Sequence, residues 1–297
     1  MRVESDRRTR DGRGWIHFFE VLIAPPALPQ GRPLPPKPAT VERASIESRH
    51  VAYTALLQAL MLSDDHCTAL LSRGLSHAEI ERLQFKTTLG HGPEAEIARE
   101  LSQQFDLRGL PGFYEVAGNC RMVSIAPGFF VPYRDELGRI EGLQIRRWPH
   151  AGEGKYLWLS SNGRLGGVSS GAPLHYTRPD LLSESDEVWL TEGALKAEVA
   201  SFLLGGAPMI AAAGVTLFHQ EFPSTLRAKY PKLKTAVIAF DSDWRTKPPV
   251  RSALDKLIRE LGRAGFRVIV RTWPPGAGKG IDDYLLSLHG KGKATVA

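Results

Sequence analysis

From about residue 186 onward, the chain alternates short apolar runs with helical patterns. The runs with the length and composition of strands are EVWLTEG, APMIAAAG, TAVIAFDSD and RVIVRTW. ALKAEVASFLL has the pattern of a helix, and apolar residues between Val250 and Leu261 recur at the spacing of an amphipathic helix. Strands that alternate with helices predict a mostly parallel sheet with helices on both faces. We therefore expect an α/β domain over residues 186–290.

Upstream of this domain the pattern changes twice. Residues 106–185 contain short β-like segments, and RMVSIAPGFFVPYRDELGRIEGLQIRRW predicts two or three strands with DELG as a hairpin-like connection. Residues 1–48 crowd seven prolines between positions 25 and 38. This density predicts an extended tail that adds little to the packed core.

Residues 49–105 predict a small helical unit between the tail and the β-rich region. Ser63 is a suitable N-cap for a helix from Asp64 to Ser72. Ser76 with Glu79 three residues later has the pattern of a capping box for the next helix.

The chain is moderately basic, with 38 Lys and Arg against 32 Asp and Glu and a formal net charge of +6 over 297 residues. An excess of positive charge is typical of proteins that bind polyanions such as nucleic acid. A solvated basic surface explains the same balance, so charge alone does not separate the two interpretations.

Cysteine content and the length of the apolar runs restrict the class of protein. Cys67 and Cys120 lie far apart and outside any CxxC pair, so the sequence predicts neither a zinc ribbon nor a disulfide framework. No apolar run reaches the roughly 18 residues needed to cross a bilayer. We therefore expect a cytoplasmic protein that has no zinc and no membrane partner.

Acidic residues stand at the ends of two of the predicted strands. Glu192 comes directly after VWLT, and Asp241 and Asp243 close AVIAFDSD. The carboxyl ends of parallel strands lie at one edge of a sheet, and residues two apart in an extended segment point to the same side. We expect Glu192, Asp241 and Asp243 to surround one point, with Asp282 and Asp283 of GKGIDDYL near the same edge.

Three carboxylates this close repel each other, and a hard divalent cation such as Mg²⁺ relieves the repulsion. A Glu-Gly pair alone is commonly a helix start, and a lone DxD is commonly a turn. Their combination at two strand ends, separated by one strand–helix unit, favours a metal site.

The segments VWLTEGALKAEVA, IAAAGV, AVIAFDSD and GKGIDDYL resemble the TOPRIM domain of bacterial replicative primases, type IA and II topoisomerases and some nucleases. The family's signature is a Glu after one strand and a DxD after a later one, which coordinate Mg²⁺. The resemblance implies a Rossmann-like fold in which Glu192, Asp241 and Asp243 are catalytic residues that bind Mg²⁺ or Mn²⁺. Asp282 and Asp283 are candidates for further metal ligands.

Two upstream segments resemble primases in particular. VPYRDELGRIEGLQIRRW followed by GKYLWLSS is similar to the basic region before TOPRIM in bacterial primases, and LLSRGLSHAEI is similar to a unit of primase-like proteins from phages and mobile elements. The resemblance extends over roughly residues 63–288. It implies a DNA primase-like nucleotidyltransferase that makes short primers on single-stranded DNA from nucleoside triphosphates. A replicative helicase is a candidate partner.

Two other functions use the same residues. A TOPRIM nuclease would cleave phosphodiesters with the same metal ligands, and a catalytically degenerate domain would only bind nucleic acid within a replication protein. Lys196 favours the degenerate domain, because primases have an acidic residue four positions after the Glu and an ammonium group does not bind a metal. The zinc-binding module of primases has no counterpart here either. The GLQIRRW and KYLWLSS segments favour the primase.

Arg146, Arg147, Lys155 and Lys196 are candidates for binding nucleic acid or nucleotides. In a groove they would contact template phosphates or the triphosphate of an incoming nucleotide, and otherwise they belong to a solvated surface. LRAKYPKLK is interpreted as a solvated loop, and PPGAGKGID as a flexible lead into Asp282.

Overall fold

The description of the fold covers residues 41–88, 90, 92–149, 154–218, 220–274 and 276–294 of a computed structural model. The predicted proline-rich tail up to residue 40 lies outside these ranges. Within them, no helix combines the length and apolarity required to cross a membrane.

The first helices of the described chain are α1 (Ile46–Gln58), α2 (Asp64–Leu71), α3 (His77–Leu83) and α4 (Glu94–Ser102). The Ser63 hydroxyl accepts the N–H of His66, and the Ser76 hydroxyl accepts the N–H of Glu79 at 3.2 Å. Both predicted N-caps are therefore confirmed. The Glu79 side chain does not complete the capping box, because its carboxylate pairs with Arg82 at 2.6 Å.

An antiparallel sheet follows, with the order β1-β4-β5-β6. Its strands are β1 (Lys86–Thr87), β4 (Gly128–Arg134), β5 (Ile140–Arg147) and β6 (Tyr156–Trp158). A separate hairpin consists of β2 (Phe113–Val116) and β3 (Asn119–Met122). The predicted hairpin connection joins β4 to β5. In it, Asp135 Oδ1 accepts the N–H groups of Leu137 and Arg139 at 3.0 and 2.8 Å, and Gly138 takes a φ of +77°. A φ in this region favours glycine.

A five-stranded sheet forms the C-terminal half, with the order β11-β10-β8-β9-β7. Its strands are β7 (His175–Tyr176), β8 (Glu187–Glu192), β9 (Met209–Ala212), β10 (Thr235–Ile238) and β11 (Arg267–Val270). The helices of this half are α5 (Pro179–Leu182), α6 (Ala194–Leu203), α7 (Phe222–Lys229), α8 (Pro248–Arg263) and α9 (Ile281–Ala294). All pairings are parallel except that of β7 with β9. The predicted fold class, a mostly parallel α/β sheet preceded by a helical unit and a β-rich region, is confirmed.

Helix α6 packs on both sheets at once. Leu195 and Val199 are almost fully buried in a core that includes Phe129 and Tyr133 of the antiparallel strand β4. On another side, Ala197 belongs to a core shared with β9 and α9. Full burial of a side chain such as Leu or Val contributes about 1.5–3 kcal/mol, so this packing fixes α6 firmly between the two sheets.

A buried polar network supports the same contact. Glu198 of α6 is 2 % exposed, and its carboxylate accepts hydrogen bonds from His175 Nε2 at 3.0 Å and from Arg82 at 3.3 Å. The backbone N–H of Arg134 in β4 donates to His175 Nδ1 at 3.0 Å. Since Nδ1 accepts, the ring proton of a neutral His175 lies on Nε2, where it faces Glu198. The network therefore joins α3, β4, β7 and α6.

Two segments differ from the sequence-based expectations. The first four residues of LRAKYPKLK, predicted as a loop, are the last turn of α7. This helix starts at Phe222, and Pro223 fixes the φ of its first turn. The predicted flexible lead into Asp282 ends earlier than expected, because α9 begins at Ile281 and both Asp282 and Asp283 lie in its first turn. Acidic residues are favourable there because they interact with the helix dipole.

Residues 43–45, within the range predicted as tail, make defined contacts. Arg43 donates to the Ser170 carbonyl at 2.7 Å, and the Ala44 N–H donates to the Gly109 carbonyl at 2.8 Å. The Ser45 hydroxyl caps α1 by accepting the N–H of Ser48. The stabilising part of the chain therefore starts before residue 46.

Two truncations test this boundary. Removal of residues 1–40 is expected to leave the midpoint of thermal unfolding nearly unchanged, as the proline density of that segment predicts. Removal of residues 1–45 should lower the free energy of unfolding by about 1–3 kcal/mol, because it deletes an N-cap and the hydrogen bonds of Arg43 and Ala44. Calorimetry of both truncated chains beside the full chain measures the difference. Equal midpoints for the two truncations would contradict it.

Candidate active site

Glu192 and Asp241 lie side by side at the carboxyl edge of the parallel sheet. Glu192 ends β8, and Asp241 comes three residues after the neighbouring strand β10. The Asp241 N–H donates to Glu192 Oε1 at 3.3 Å. Gly193 follows with a φ of +76°, which turns the chain directly into α6.

Asp243 has a different orientation from the one expected. Asp241 immediately precedes a 3₁₀ turn over Ser242–Arg245, so the extended backbone assumed for this motif is absent there. Asp243 Oδ2 pairs with Lys247 Nζ at 2.7 Å and with Lys279 Nζ at 3.1 Å. Among the described residues, no three Asp, Glu, His or Cys side chains lie close enough together to hold a metal ion. The expected trio of Glu192, Asp241 and Asp243 therefore does not surround one point.

The first turn of α9 brings Asp282 to the same edge. Asp282 is 5 % exposed, and its Oδ2 pairs with Arg73 at 3.0 Å. Its Oδ1 is buried without a hydrogen-bond partner in the described structure. Asp283 Oδ2 accepts the backbone N–H groups of Lys279 and Gly280, each at 3.2 Å, so this carboxylate holds the loop before α9.

Gly280 keeps a small space open between the carboxylates. A Cβ atom at this position would lie 2.5 Å from Asp282 Oδ1 and 3.3 Å from Asp241 Oδ1. The same atom would lie 2.9 Å from Cε of Lys196. Asp241, Asp282 and Lys196 therefore face one point beside the Gly280 backbone.

Burial governs the protonation of these carboxyl groups. It raises the pKa of Glu192, and the neighbouring charge of Asp241 raises it further, while Lys196 and the Asp241 N–H lower it. Burial likewise raises the pKa of Asp282. For Asp243 burial acts in the same direction, but the hydrogen bonds from Lys247 and Lys279 hold its pKa below the ordinary value.

The donor atoms in this cluster suit a hard divalent cation, because they are all carboxylate oxygens. Glu192 carries a raised pKa, and Asp282 Oδ1 is buried without a partner, so both groups would be stabilised by a bound cation. The residues therefore fit Mg²⁺ or Mn²⁺, although Asp241 and Asp243 already pair with lysines.

Basic residues line the same cavity, which has a volume of about 320 Å³. Arg146 stands opposite Phe129 of β4 and Tyr156 of β6, and it donates to the Tyr156 hydroxyl at 2.9 Å. Partial burial and the charges of Arg146 and Arg73 lower the pKa of Lys155. Three cations this close favour a bound anion such as a phosphate group.

The cavity is lined by two of the three basic residues predicted upstream of the parallel sheet. Arg146 and Lys155 line it, and Lys196 lines it from α6. Arg147 does not, because successive residues of β5 point to opposite faces of the sheet. It instead reaches the Gly154 carbonyl at 3.4 Å.

Sequence reasoning missed Arg73, Lys279, Gln144 and Tyr133, which also line the cavity. Lys279 stands three residues before Asp282 in the motif GKGID, and this proximity was a usable signal. Arg73 pairs with Asp282 across 209 residues of sequence, and no local motif marks it.

Residues 182–292 match the family described as "Domain of unknown function (DUF3854)". Among curated proteins no sequence matches the chain.

Solved structures of bacterial primases share the fold. The Aquifex aeolicus primase (zinc-binding and RNA polymerase domains) is 19% identical with a TM-score of 0.61, covering 85% of this chain and 61% of its own. A second similar structure is the RNA polymerase domain of Mycobacterium tuberculosis primase DnaG in complex with a double-stranded DNA oligomer with a 6-nucleotide overhang. It is 18% identical with a TM-score of 0.60, and the match covers 84% of this chain and 80% of that one. A DnaG primase catalytic domain bound to single-stranded DNA is 16% identical with a TM-score of 0.58 and coverages of 84% and 77%. The chain therefore has the fold of a DnaG catalytic core and spans about three fifths of the Aquifex chain.

The raised pKa of Glu192 predicts a pH-dependent effect of Glu192→Gln on stability. Folding favours the protonated carboxyl group, so its stabilising contribution is complete below the ordinary pKa of 4.5 and is lost as the pH rises through the folded-state value. The neutral glutamine avoids this loss. In metal-free buffer, the variant should have a higher midpoint of thermal unfolding than the wild type at pH 7, and the difference should shrink toward pH 4.

Glu184→Gln provides the control, because the Glu184 side chain is 75 % exposed and its ion pair with Lys232 lies at the surface. Such pairs contribute little, so its midpoint should follow the wild type at every pH. A Glu192→Gln variant that is less stable than the wild type at pH 7 would contradict the pKa assignment.

Proposed function

We propose that this chain is a primase-like nucleotidyltransferase with a TOPRIM-type carboxylate site, which makes short primers on a single-stranded template. One observation carries the proposal: in a fold shared with DnaG catalytic cores, a single cavity is lined by Glu192, Asp241 and Asp282 and also by Arg73 and Arg146. Transfer of a nucleotide requires both kinds of group. Carboxylates hold the metal, and cations bind the phosphates.

Glu192, Asp241 and Asp282, which line this cavity, are the residues that would hold Mg²⁺ or Mn²⁺. Asp243 would join them as a ligand only after leaving its ion pairs with Lys247 and Lys279. When bound, the metal supplies charge neutralisation for the reacting phosphate oxygens. Asp283 is assigned to the loop instead, because its carboxylate already holds the N–H groups of Lys279 and Gly280. In this way Asp283 keeps Asp282 and the Gly280 backbone in position.

Arg146 and Lys155 bind phosphate oxygens in this proposal. The guanidinium of Arg146 lies 5.7 Å from the centre of the Tyr156 ring and 5.9 Å from that of Phe129, and Tyr156 accepts its hydrogen bond. These contacts fix the guanidinium before a ligand arrives, so little side-chain freedom is lost on binding. The repulsion among Arg73, Arg146 and Lys155 is relieved when an anion binds between them.

Single-stranded DNA as the template is supported by two of the similar structures, one bound to single-stranded DNA and one to DNA with an overhang. The net charge of +6 acts in the same direction, because it attracts a polyanion. Nucleoside triphosphates are the proposed second substrate, and a replicative helicase is a proposed partner.

A catalytically degenerate, DNA-binding role is the second candidate. The pairing of Asp241 with both Lys196 and Lys279 favours it, because these ammonium groups neutralise a proposed metal ligand. The assay that tests the first proposal also decides this one.

Incubation of the full chain with single-stranded templates, labelled nucleoside triphosphates and Mg²⁺ or Mn²⁺ tests the proposal. We expect short labelled products with the wild type. Glu192→Gln and Asp241→Asn should each lower synthesis by about 100-fold or more, since each removes a ligand charge that acts on the reacting phosphates. Cleavage of the template without synthesis would indicate a nuclease. DNA binding with neither reaction would indicate the degenerate domain.

Lys155→Ala tests whether Lys155 binds phosphate groups in the site cavity. Binding to single-stranded DNA should weaken, and the slope of log K against log salt concentration should fall by roughly 0.7 for each phosphate that the variant no longer neutralises. Lys256→Ala is the control, because Lys256 is exposed on α8 and does not line the site cavity. Fluorescence anisotropy at several salt concentrations measures both variants. A Lys155→Ala slope equal to that of the wild type would assign Lys155 to the solvated surface.

A further inference from the structure

Lys196 occupies a position where a positive charge is intrinsically disfavoured. It lies in the first turn of α6, a turn that contains no acidic residue. The N-terminal end of a helix carries a partial positive charge, so an ammonium group near it is destabilised. The side chain is nevertheless only 18 % exposed. Neighbouring negative charges must therefore stabilise it.

The carboxylates of the site supply these charges. The Lys196 ammonium donates to Asp241 Oδ1, and its Cε atom faces the point beside Gly280 that Asp282 Oδ1 also faces. Its charge also acts on Glu192 and on Asp282. One ammonium group therefore lies among three of the carboxylates that would otherwise need a metal ion.

We propose that the Lys196 ammonium is a built-in cation that replaces one metal ion of a two-metal site, so that the cluster binds one divalent ion per chain. Two-metal sites place their ions about 3.5–4 Å apart, and a fixed ammonium among the same carboxylates excludes a second ion by charge and by volume. The inference rests on the proposed metal-dependent function.

The oxygens that remain for the single ion can be identified. Both oxygens of Asp241 face ammonium groups, Oδ1 that of Lys196 and Oδ2 that of Lys279 at 3.4 Å. Among the described residues, Glu192 forms no ion pair and Asp282 Oδ1 has no hydrogen-bond partner. Glu192 and Asp282 are therefore the primary ligands of the one ion.

Calorimetric titration of the metal-free full chain with Mn²⁺ counts the ions. The wild type should bind one ion per chain. Lys196→Asp replaces the ammonium by a carboxylate and should bind two. Lys196→Met removes the charge at nearly constant length, and it should bind one ion at least about tenfold more tightly, because the nearby carboxylates are no longer neutralised.

Lys247→Met is the matched control. It removes an ammonium that pairs with Asp243, but this side chain is 57 % exposed and its charge is screened by solvent. Its stoichiometry should stay at one ion, with an affinity within about threefold of the wild type. Thermal unfolding with and without Mn²⁺ verifies that each variant folds. Mn²⁺ should raise the midpoint of unfolding of Lys196→Met more than that of the wild type.

Two bound ions in the wild type, no bound ion in the wild type, or wild-type binding by both Lys196 variants would each overturn the inference. The primer-synthesis assay separates this result from the proposed function. One ion in the wild type and two in Lys196→Asp, without synthesis, would retain the inference and reject the function. Primer synthesis by a wild type that binds two ions would reject the inference and retain the proposed function.

Discussion

Electrostatic repulsion among carboxylates that share one buried sheet edge is the constraint on which the rest of this structure depends. Glu192, Asp241 and Asp282 are brought together by two adjacent strands and the first turn of α9. Isolated buried charges of one sign destabilise a fold, and here Lys196, Lys279 and other basic side chains offset them. The offset is incomplete at Glu192 and Asp282, where burial still raises the pKa. These two groups therefore retain the capacity to bind a cation.

Helix α6 connects this electrostatic constraint to the packing of the whole molecule. Its first turn begins after Gly193, which follows Glu192, and this turn carries Lys196. Its middle carries Val199 into the core shared with the antiparallel sheet and Glu198 into contact with His175 of β7. The Tyr133 hydroxyl of β4 accepts the N–H of Ala194 at 3.4 Å. The carboxylates and the basic residues that line the cavity are thus held in position by one helix.

The sequence predicted the parts of the fold and site that depend on local pattern. The apolar runs located β8 and β10, and their ends located Glu192 and Asp241 at one edge. It did not predict the 3₁₀ turn that redirects Asp243, because an extended segment and a turn are both compatible with a DxD motif. Arg73 reaches Asp282 through tertiary packing alone, and the pairing of Lys196 with Asp241 depends on a side-chain conformation. Such contacts are set by the assembled structure and leave no periodic signal in the chain.

The buried network of Glu198, His175 and Arg134 has a consequence for how the molecule loses its structure. The hydrogen bond from the Arg134 N–H to His175 Nδ1 joins β4 of one sheet to β7 of the other, and separation of the sheets would leave both groups without this partner. Partial opening at this contact is therefore costly, and we expect the two sheets to open together rather than one at a time. The cavity takes its lining from both sheets, with Arg146 from one and Glu192 from the other, so separation of the sheets would also divide the cavity.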